Sequence, residues 1–568
     1  MRAGEITYKW LSGYTYSITL TTYTDDGASI ADRCEMTIYF GDGDSCVAVR
    51  ENGSLAASTA QCPTSYMGVI ISTTPTVKKN VYSCVHTYLS GYGTYKIYVF
   101  DHNRNSGIIN VPNSVNQPFY VQSFLLISSF INPNSSSVLT FPPIDQAAIF
   151  KCFYHNAGAY DIDGDSLSYE LVMCKGENGL GQIGVTIPGY SYPSAGTGGT
   201  FKIDSLTGTI TWCNPQMNGE YNIAFLIKEW RQPCGGGSPT LVGYVTRDMQ
   251  VLVNNSSNNV PAFSVASSTC IAAGSSYTNT INTSDPDNNT ITLEAFGAPF
   301  VSNPTATFNT AVSVNATSNF KWNTSCANIR REPYMITYKC ADNGMPNLAN
   351  YMVQSVSVIA PEPQNLTVTP GLNIMKLKWN KPACHPASGN TLVGYNIYRI
   401  VGSSSWAHTA CEYGVPASSG YSFIGSTFSE NDTSMVDYTV VSLPNNATCG
   451  FIVTAVYKDC SESYASSPAS DVLVIGINEK SNNNYSATVF PNPGTGVYTL
   501  DLKVETAGNF IIELMDVKGQ VIKRMLPTFV KDKTSLQLDL DSFENGYYIL
   551  KIENEEKNCS YKPIVKLD

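Results

Sequence analysis

Tyr498-Thr499-Leu500-Asp501-Leu502-Lys503-Val504 and, further on, Leu536-Gln537-Leu538-Asp539-Leu540 alternate apolar and polar side chains residue by residue. A period of two places every second side chain on one face, so each run reads as a strand with one apolar side turned inward on a small sandwich. The surrounding composition marks this sandwich as a unit of its own. Of the 79 charged residues in the chain, 23 fall within residues 480–568, roughly twice the density of an even spread. Residues 478–484 read as a polar linker into it.

The same kind of strand dominates upstream. Thirty-five tyrosines, 14% charged residues and long Ser/Thr/Asn/Gly-rich stretches, without an amphipathic helical window, describe short strands joined by polar turns. At 568 residues the length corresponds to about four domains, and 43% hydrophobic residues suffice for several cores. The expected fold is all-β: tandem immunoglobulin-like β-sandwiches in an elongated array. A net charge of -11, spread along the chain, disfavours nucleic acid and anionic membrane surfaces. No run approaches the ~18 apolar residues of a transmembrane segment.

Sixteen cysteines without a single Cys-x-x-Cys pair suit an oxidising compartment better than zinc. They group by region: Cys34, Cys46, Cys62 and Cys84; Cys152, Cys174, Cys213 and Cys234; Cys270, Cys326 and Cys340; Cys384, Cys411, Cys449 and Cys460; and Cys559. The even groups suggest disulfides within domains, with connectivity left open.

The tail carries a resemblance. Val489-Phe490-Pro491-Asn492-Pro493, the Asp516-Val517-Lys518-Gly519 turn, Asn545-Gly546-Tyr547-Tyr548 and the terminal Lys562-Pro563-Ile564-Val565-Lys566 follow one another as in the type A C-terminal sorting domain of the Bacteroidetes type IX secretion system, which residues 478–568 resemble. The resemblance implies a sorting signal carried by Pro491, Asn492, Pro493, Gly519, Gly546, Tyr547, Lys562 and Lys566. It implies recognition by the type IX translocon, removal of the tail by a sortase-like peptidase, attachment to surface lipopolysaccharide, and a secreted, extracellular or outer-membrane-surface location. A secreted protein begins with a basic, apolar and small-residue leader, whereas Met1 to Tyr8 runs straight into strand-like sequence; the expected start lies upstream.

Four further modules are expected. Residues 1–110, with Phe40-Gly41-Asp42-Gly43, His86-Thr87-Tyr88 and Gly93-Thr94-Tyr95, resemble a PKD domain. Residues 111–255 carry Asp161-Ile162-Asp163-Gly164-Asp165 and Thr209-Ile210-Thr211-Trp212, and residues 256–360 repeat the plan with Asp285-Pro286-Asp287-Asn288-Asn289 and Phe320-Lys321-Trp322. Both resemble cadherin-like, immunoglobulin-type modules. Residues 361–477, with Leu377-Lys378-Trp379 and Gly394-Tyr395-Asn396-Ile397-Tyr398, resemble a fibronectin type III domain. Cys449 stands where that family places its corner tyrosine, so a disulfide is expected to replace the tyrosine's hydrogen bond.

The acidic loops are the one expected site. Asp161, Asp163 and Asp165 set hard oxygens at alternate positions, and Gly164 lets the backbone curl; calcium is the cation such oxygens suit. An Asp/Asn/Gly turn that only caps backbone amides is the competing reading. By the cadherin resemblance Glu229, with Asp248 as a weaker candidate, closes the site, and Asp342 joins Asp285, Asp287 and Asn289 in the third region. Catalysis finds no pattern: five histidines include no zinc-protease or Gly-x-Ser-x-Gly motif. His86 is read as framework, and His102 and His155 as turn or surface residues. Trp10, Trp230 and Trp406 are read as core or strand-edge residues ahead of sugar platforms. The sequence therefore points to a non-catalytic surface protein of adhesion or cell-envelope organisation, with a carbohydrate or cell-surface ligand. A polysaccharide-targeting accessory protein is the alternative.

Overall fold

The computed structural model describes residues 1–25, 33–55, 66–234, 237–264, 268–444, 446–474 and 484–567. Cys62 and all of the expected 478–484 linker except Asn484 lie outside them. The described chain is a succession of β-strands, with a few single-turn 3-10 segments as its helices.

Immunoglobulin-like sandwiches follow one another as the alternation demands. The third module packs Ser276–Ser284 and Thr317–Asn323 against a five-stranded sheet centred on Tyr334–Ala341 and Ala349–Ile359. The fourth pairs the sheet of Gln364–Gly371, Ile374–Asn380 and Ser434–Asp437 with a four-stranded one, and the last repeats the plan with Tyr485–Phe490, Val497–Val504 and Lys533–Asp539 on one leaf. Trp212, Trp322 and Trp379 are each buried at the centre of a core, as the recurring tryptophan strands led one to expect.

The first two modules are fused through shared backbone pairing. Thr240–Asn254 is a fifteen-residue strand. It pairs with Gly219–Arg231 over most of its length, and its middle also pairs with Ser123–Leu125 and with Ala3 and Gly4. A strand buried on both faces, as its middle is, can serve two cores at once. Phe119–Ile127 pairs with Gly93–Asp101 along its entire length, so the first sandwich runs past the boundary expected at residue 110.

Several disulfides cross the modules, against the expectation of pairing within them. Cys46–Cys84 and Cys152–Cys213 are local to a module. Cys234–Cys460, Cys270–Cys411 and Cys326–Cys384 instead fasten the second and third modules to the fourth. Cys174, Cys340, Cys449 and Cys559 are free thiols. Cys449 therefore replaces the corner tyrosine with a buried thiol rather than a bridge.

A buried polar bolt joins the second module to the third. Asp145 accepts from Tyr351 Oη at 2.5 Å and Lys339 Nζ at 2.7 Å, and its Oδ2 lies 2.6 Å from His155 Nδ1. Burial alone would raise the Asp145 carboxyl, but Lys339 and His155 hold it well below the usual carboxylate range. His155 is fully buried, not a surface residue: it meets Asp145 and, with ring centroids 6.0 Å apart, Tyr351 of the third module. Burial pushes its pKa down despite Asp145.

Candidate functional site

Asp161, Asp163 and Asp165 project carboxylate oxygens that lie within 4.8 Å of one another. The loop turns at Gly164, whose φ of +87° is a left-handed conformation that favours glycine. Glu229 enters from the strand Gly219–Arg231 and is fully buried. Opposite it stands Gly243; a Cβ there would lie 2.2 Å from Glu229 Oε2 and from Tyr8 Oη, so the missing side chain makes the room.

The surroundings divide these acids into two kinds. Asp165 is gripped by Arg231, whose Nε and Nη2 donate to its two oxygens, and the Nη2 lies 3.9 Å from Asp163. Asp163 accepts from the Ser135 amide. Glu229 accepts from the Asn134 side-chain amide at 2.7 Å and from the Ser137 amide at 2.5 Å. Asp161 Oδ1 accepts from the Asp165 amide at 2.8 Å, but Asp161 Oδ2 is buried with no hydrogen-bond partner. Burial first, and then the charge of Glu229, push the Asp161 carboxyl up to about 8; burial pushes Glu229 up to about 7.

This donor set fits a divalent cation. A buried carboxylate oxygen without a partner costs several kcal/mol when ionised, and a hard cation held by Asp161 and Asp163 would remove that cost while taking further oxygens from backbone or water; among the described residues Glu229 does not join the three aspartates within 4.8 Å. Arg231 supplies one fixed positive charge at the edge of the cluster and occupies Asp165. Asp248 takes no part: it lies five positions beyond Gly243 on its strand and is held by Arg104 at 2.8 and 2.7 Å.

The third-region loop does not gather its acids. Asp285, Asp287 and Asp342 are not among the described groups of three ligands within 4.8 Å. Asp287 accepts from the Asn259 backbone and side-chain amides. Asp342 accepts from Asn258, whose Oδ1 in turn accepts from Asn289. Side-chain amides from residues 258 and 259 thus engage Asp342 and Asp287, while Asp285 Oδ2 is left buried and unpartnered.

The sequence passed over Asn134, Ser135, Ser137 and Arg231. Only Arg231 had a legible signal, two residues beyond Glu229 on one strand and so near the same face. It also passed over a second cluster, in which Asp42 and Asp44 meet His86. His86 Nε2 lies 2.7 Å from Asp42 and its ring stacks on Phe40 at 4.0 Å, which bears out its place in the framework of the first module.

In the tail, the residues expected to carry the sorting signal hold the final strand, Cys559–Lys566. Asn492 donates through Nδ2 to the Pro563 carbonyl at 2.6 Å and accepts from the Val565 amide at 2.9 Å, clasping the strand on both sides of Ile564. Pro491 and Pro493 flank that clasp. Lys566 is buried and donates to the carbonyls of Asp541 and Phe543 at 3.1 and 2.6 Å. Gly519 and Gly546 both have positive φ, in a turn and at a strand start. Tyr547 pairs opposite Val565 and Lys562 opposite Leu550.

Comparisons with known proteins agree with this geometry at the C-terminus. Residues 488–566 match the family model of the secretion system C-terminal sorting domain. No curated protein matches the chain. Among solved structures it is similar to a two-domain fibronectin type III segment of chicken tenascin, at 11% identity over 36% of this chain and 99% of that one (TM-score 0.14). It is also similar to mouse cadherin-23 EC22-24, at 17% over 50% and 79% (0.14), and to Drosophila N-cadherin EC1-4, at 12% over 70% and 88% (0.17). Among the described residues no helix is long and apolar enough to cross a membrane. Residues 488–566 are a secretion system C-terminal sorting domain, and the chain is a type IX secretion substrate with immunoglobulin-like modules, directed to the cell surface or the extracellular space.

Proposed function

We propose that the exported chain is a non-catalytic surface scaffold acting in adhesion or cell-envelope organisation. The observation that carries this reading is the bracing of its modules: three disulfides join the second and third modules to the fourth, and the Asp145 bolt joins the second to the third. Such bracing suits a body that bears load outside the cell, where disulfides persist. In this reading the acidic loop of Asp161, Asp163 and Asp165, backed by Glu229, holds calcium and stiffens the second module. The sortase-like peptidase removes the tail, and the remainder is attached to surface lipopolysaccharide.

The test is attachment. Beads coated with the full chain are measured for binding to cells and surfaces with calcium, with chelator and after reduction of the disulfides. Binding that falls in both treatments supports a braced, calcium-supported adhesin; beads that never bind above uncoated controls would refute it. The alternative, a protein that brings an enzyme to insoluble polysaccharide, is tested in parallel on polysaccharide-coated surfaces.

A further inference from the structure

The face of the shared sheet that looks away from the first core holds a pocket that neither the acidic cluster nor the tail uses. It lies where Phe119–Ile127 gives way to Thr240–Asn254 and Gly219–Arg231, and it encloses about 200 Å³. Tyr120, Tyr244 and Leu226 wall it, and half-exposed Met173 stands at its mouth. Tyr98 stacks on Tyr120 and Phe124 on Tyr244 with centroids 5.8 and 5.5 Å apart, so neighbouring rings hold both walls upright.

The polar groups in it are few and aimed. Lys175 Nζ donates to Gln122 Oε1 at 2.8 Å, and Gln122 donates to the Tyr244 hydroxyl. Thr246, on the pocket lining, is only 7% exposed, and its buried hydroxyl has no hydrogen-bond partner. A buried, unpaired hydroxyl is costly, and a ligand hydroxyl or carboxylate would satisfy it.

The local charge runs against that of the whole chain. In a protein of net charge -11, Lys96 and Lys175 lie close enough that Lys96, after burial, depresses the Lys175 pKa. Neither forms an ion pair among the described residues, and Asp248 on the pocket floor is fully engaged by Arg104. The pocket thus presents uncompensated positive charge.

Its size selects the rest. Sites for drug-sized ligands begin near 300 Å³, so this one admits about one six-membered ring. A ring with one apolar face for Tyr120 and Leu226, hydroxyls for Thr246 and Tyr244, and a negative charge for Lys175 is an acidic sugar. We propose that this pocket binds a single uronate residue at the end of an acidic glycan. The proposal does not depend on calcium or on the adhesion reading.

The test is calorimetric titration of the full chain, in chelator, with trigalacturonate and with its neutral counterpart trigalactose. The trigalacturonate is expected to bind at least about tenfold more tightly, the order of one charged hydrogen bond. Thr246→Val, near-isosteric, and Lys175→Gln should each lose about tenfold or more while leaving the melting temperature of the unliganded chain unchanged or higher. Equal binding of both sugars, competition by inorganic phosphate as strong as by uronate, or unaltered binding by both variants would overturn the proposal. A second arm compares the producing cell's own surface polysaccharide in native and carboxyl-reduced forms. Selective capture of the native form assigns the glycan to the cell itself, capture of trigalacturonate alone assigns it to a foreign surface, and capture of neither refutes the pocket's role.

Discussion

Replacing Asp161 by Asn tests the cation site from both directions. In the folded chain the Asp161 carboxyl titrates at about 8 rather than 3.8, because it is buried beside Glu229. A folded pKa above the unfolded one means that the folded state holds the proton more tightly. Stability is therefore greatest below 3.8 and is lost as pH rises towards 8. At pH 7 roughly three pH units of that window have been crossed, which amounts to about 4 kcal/mol. Asn has nearly the shape of the carboxyl, keeps the oxygen that accepts from the Asp165 amide, and carries no charge. In chelator at pH 7 D161N should therefore be more stable than the natural chain by up to about 4 kcal/mol, and its melting temperature should fall less between pH 5 and 8 than that of the natural chain, the remaining fall coming from Glu229, which burial pushes up to about 7. Calcium should raise the melting temperature of the natural chain, since the ion takes the deprotonated carboxylate, and should leave D161N unmoved. Intrinsic fluorescence during thermal melting reads both effects, because Trp212 and Trp230 lie in the same module. A natural chain indifferent to calcium and to pH, or a variant that responds to calcium as the natural chain does, would refute the reasoning.

Other perturbations reach the bracing and the tail. Asp145→Asn leaves Lys339 and His155 in the interior without their shared carboxylate and should cost about 3–5 kcal/mol, read as a lower urea midpoint. With His155 held below its unfolded pKa of 6.5, acid favours the unfolded chain, so the same contact should weaken as pH falls below 6.5 in urea melts of the natural chain. Breaking Cys234–Cys460 with serines at both positions opens a closure spanning 226 residues. It should cost at most about 5 kcal/mol and render the second and fourth modules separable by limited proteolysis. Asn492→Ala removes both hydrogen bonds to the final strand; it should cost about 1–3 kcal/mol and lower the fraction of chain exported, measured by immunoblot of medium and cells.

Much of the architecture was legible because it is local. Alternation over Tyr498–Val504 requires no knowledge of any partner strand, and the tail was identified by the order of its short blocks, from Pro491-Asn492-Pro493 to Lys562-Pro563-Ile564-Val565-Lys566. The alternating carboxylates of Asp161, Asp163 and Asp165 were legible in the same way, and their oxygens lie within 4.8 Å of one another. What escaped depends on pairings across long stretches of chain. Thr240–Asn254 serves two modules because its edges meet strands from residues 3–4 and 123–125, which nothing in its own composition announces. His155 sits in polar sequence and looked like a surface residue, yet its neighbours Lys339 and Tyr351 are supplied by the next module. The two acidic loops read almost alike. They differ in that residues 258 and 259 bring side-chain amides to one of them and an arginine meets the other, while each keeps one buried carboxylate oxygen without a partner.

The most direct measurement of the central claim pairs surface display with attachment. Cells producing the full chain are compared with cells producing residues 1–484, which lack the sorting domain, and with a strain lacking the type IX translocon; surface labelling and adhesion are scored together. The account expects the chain at the surface, and attachment with it, only in the first strain. Attachment that persists undiminished when the chain is retained inside would contradict it.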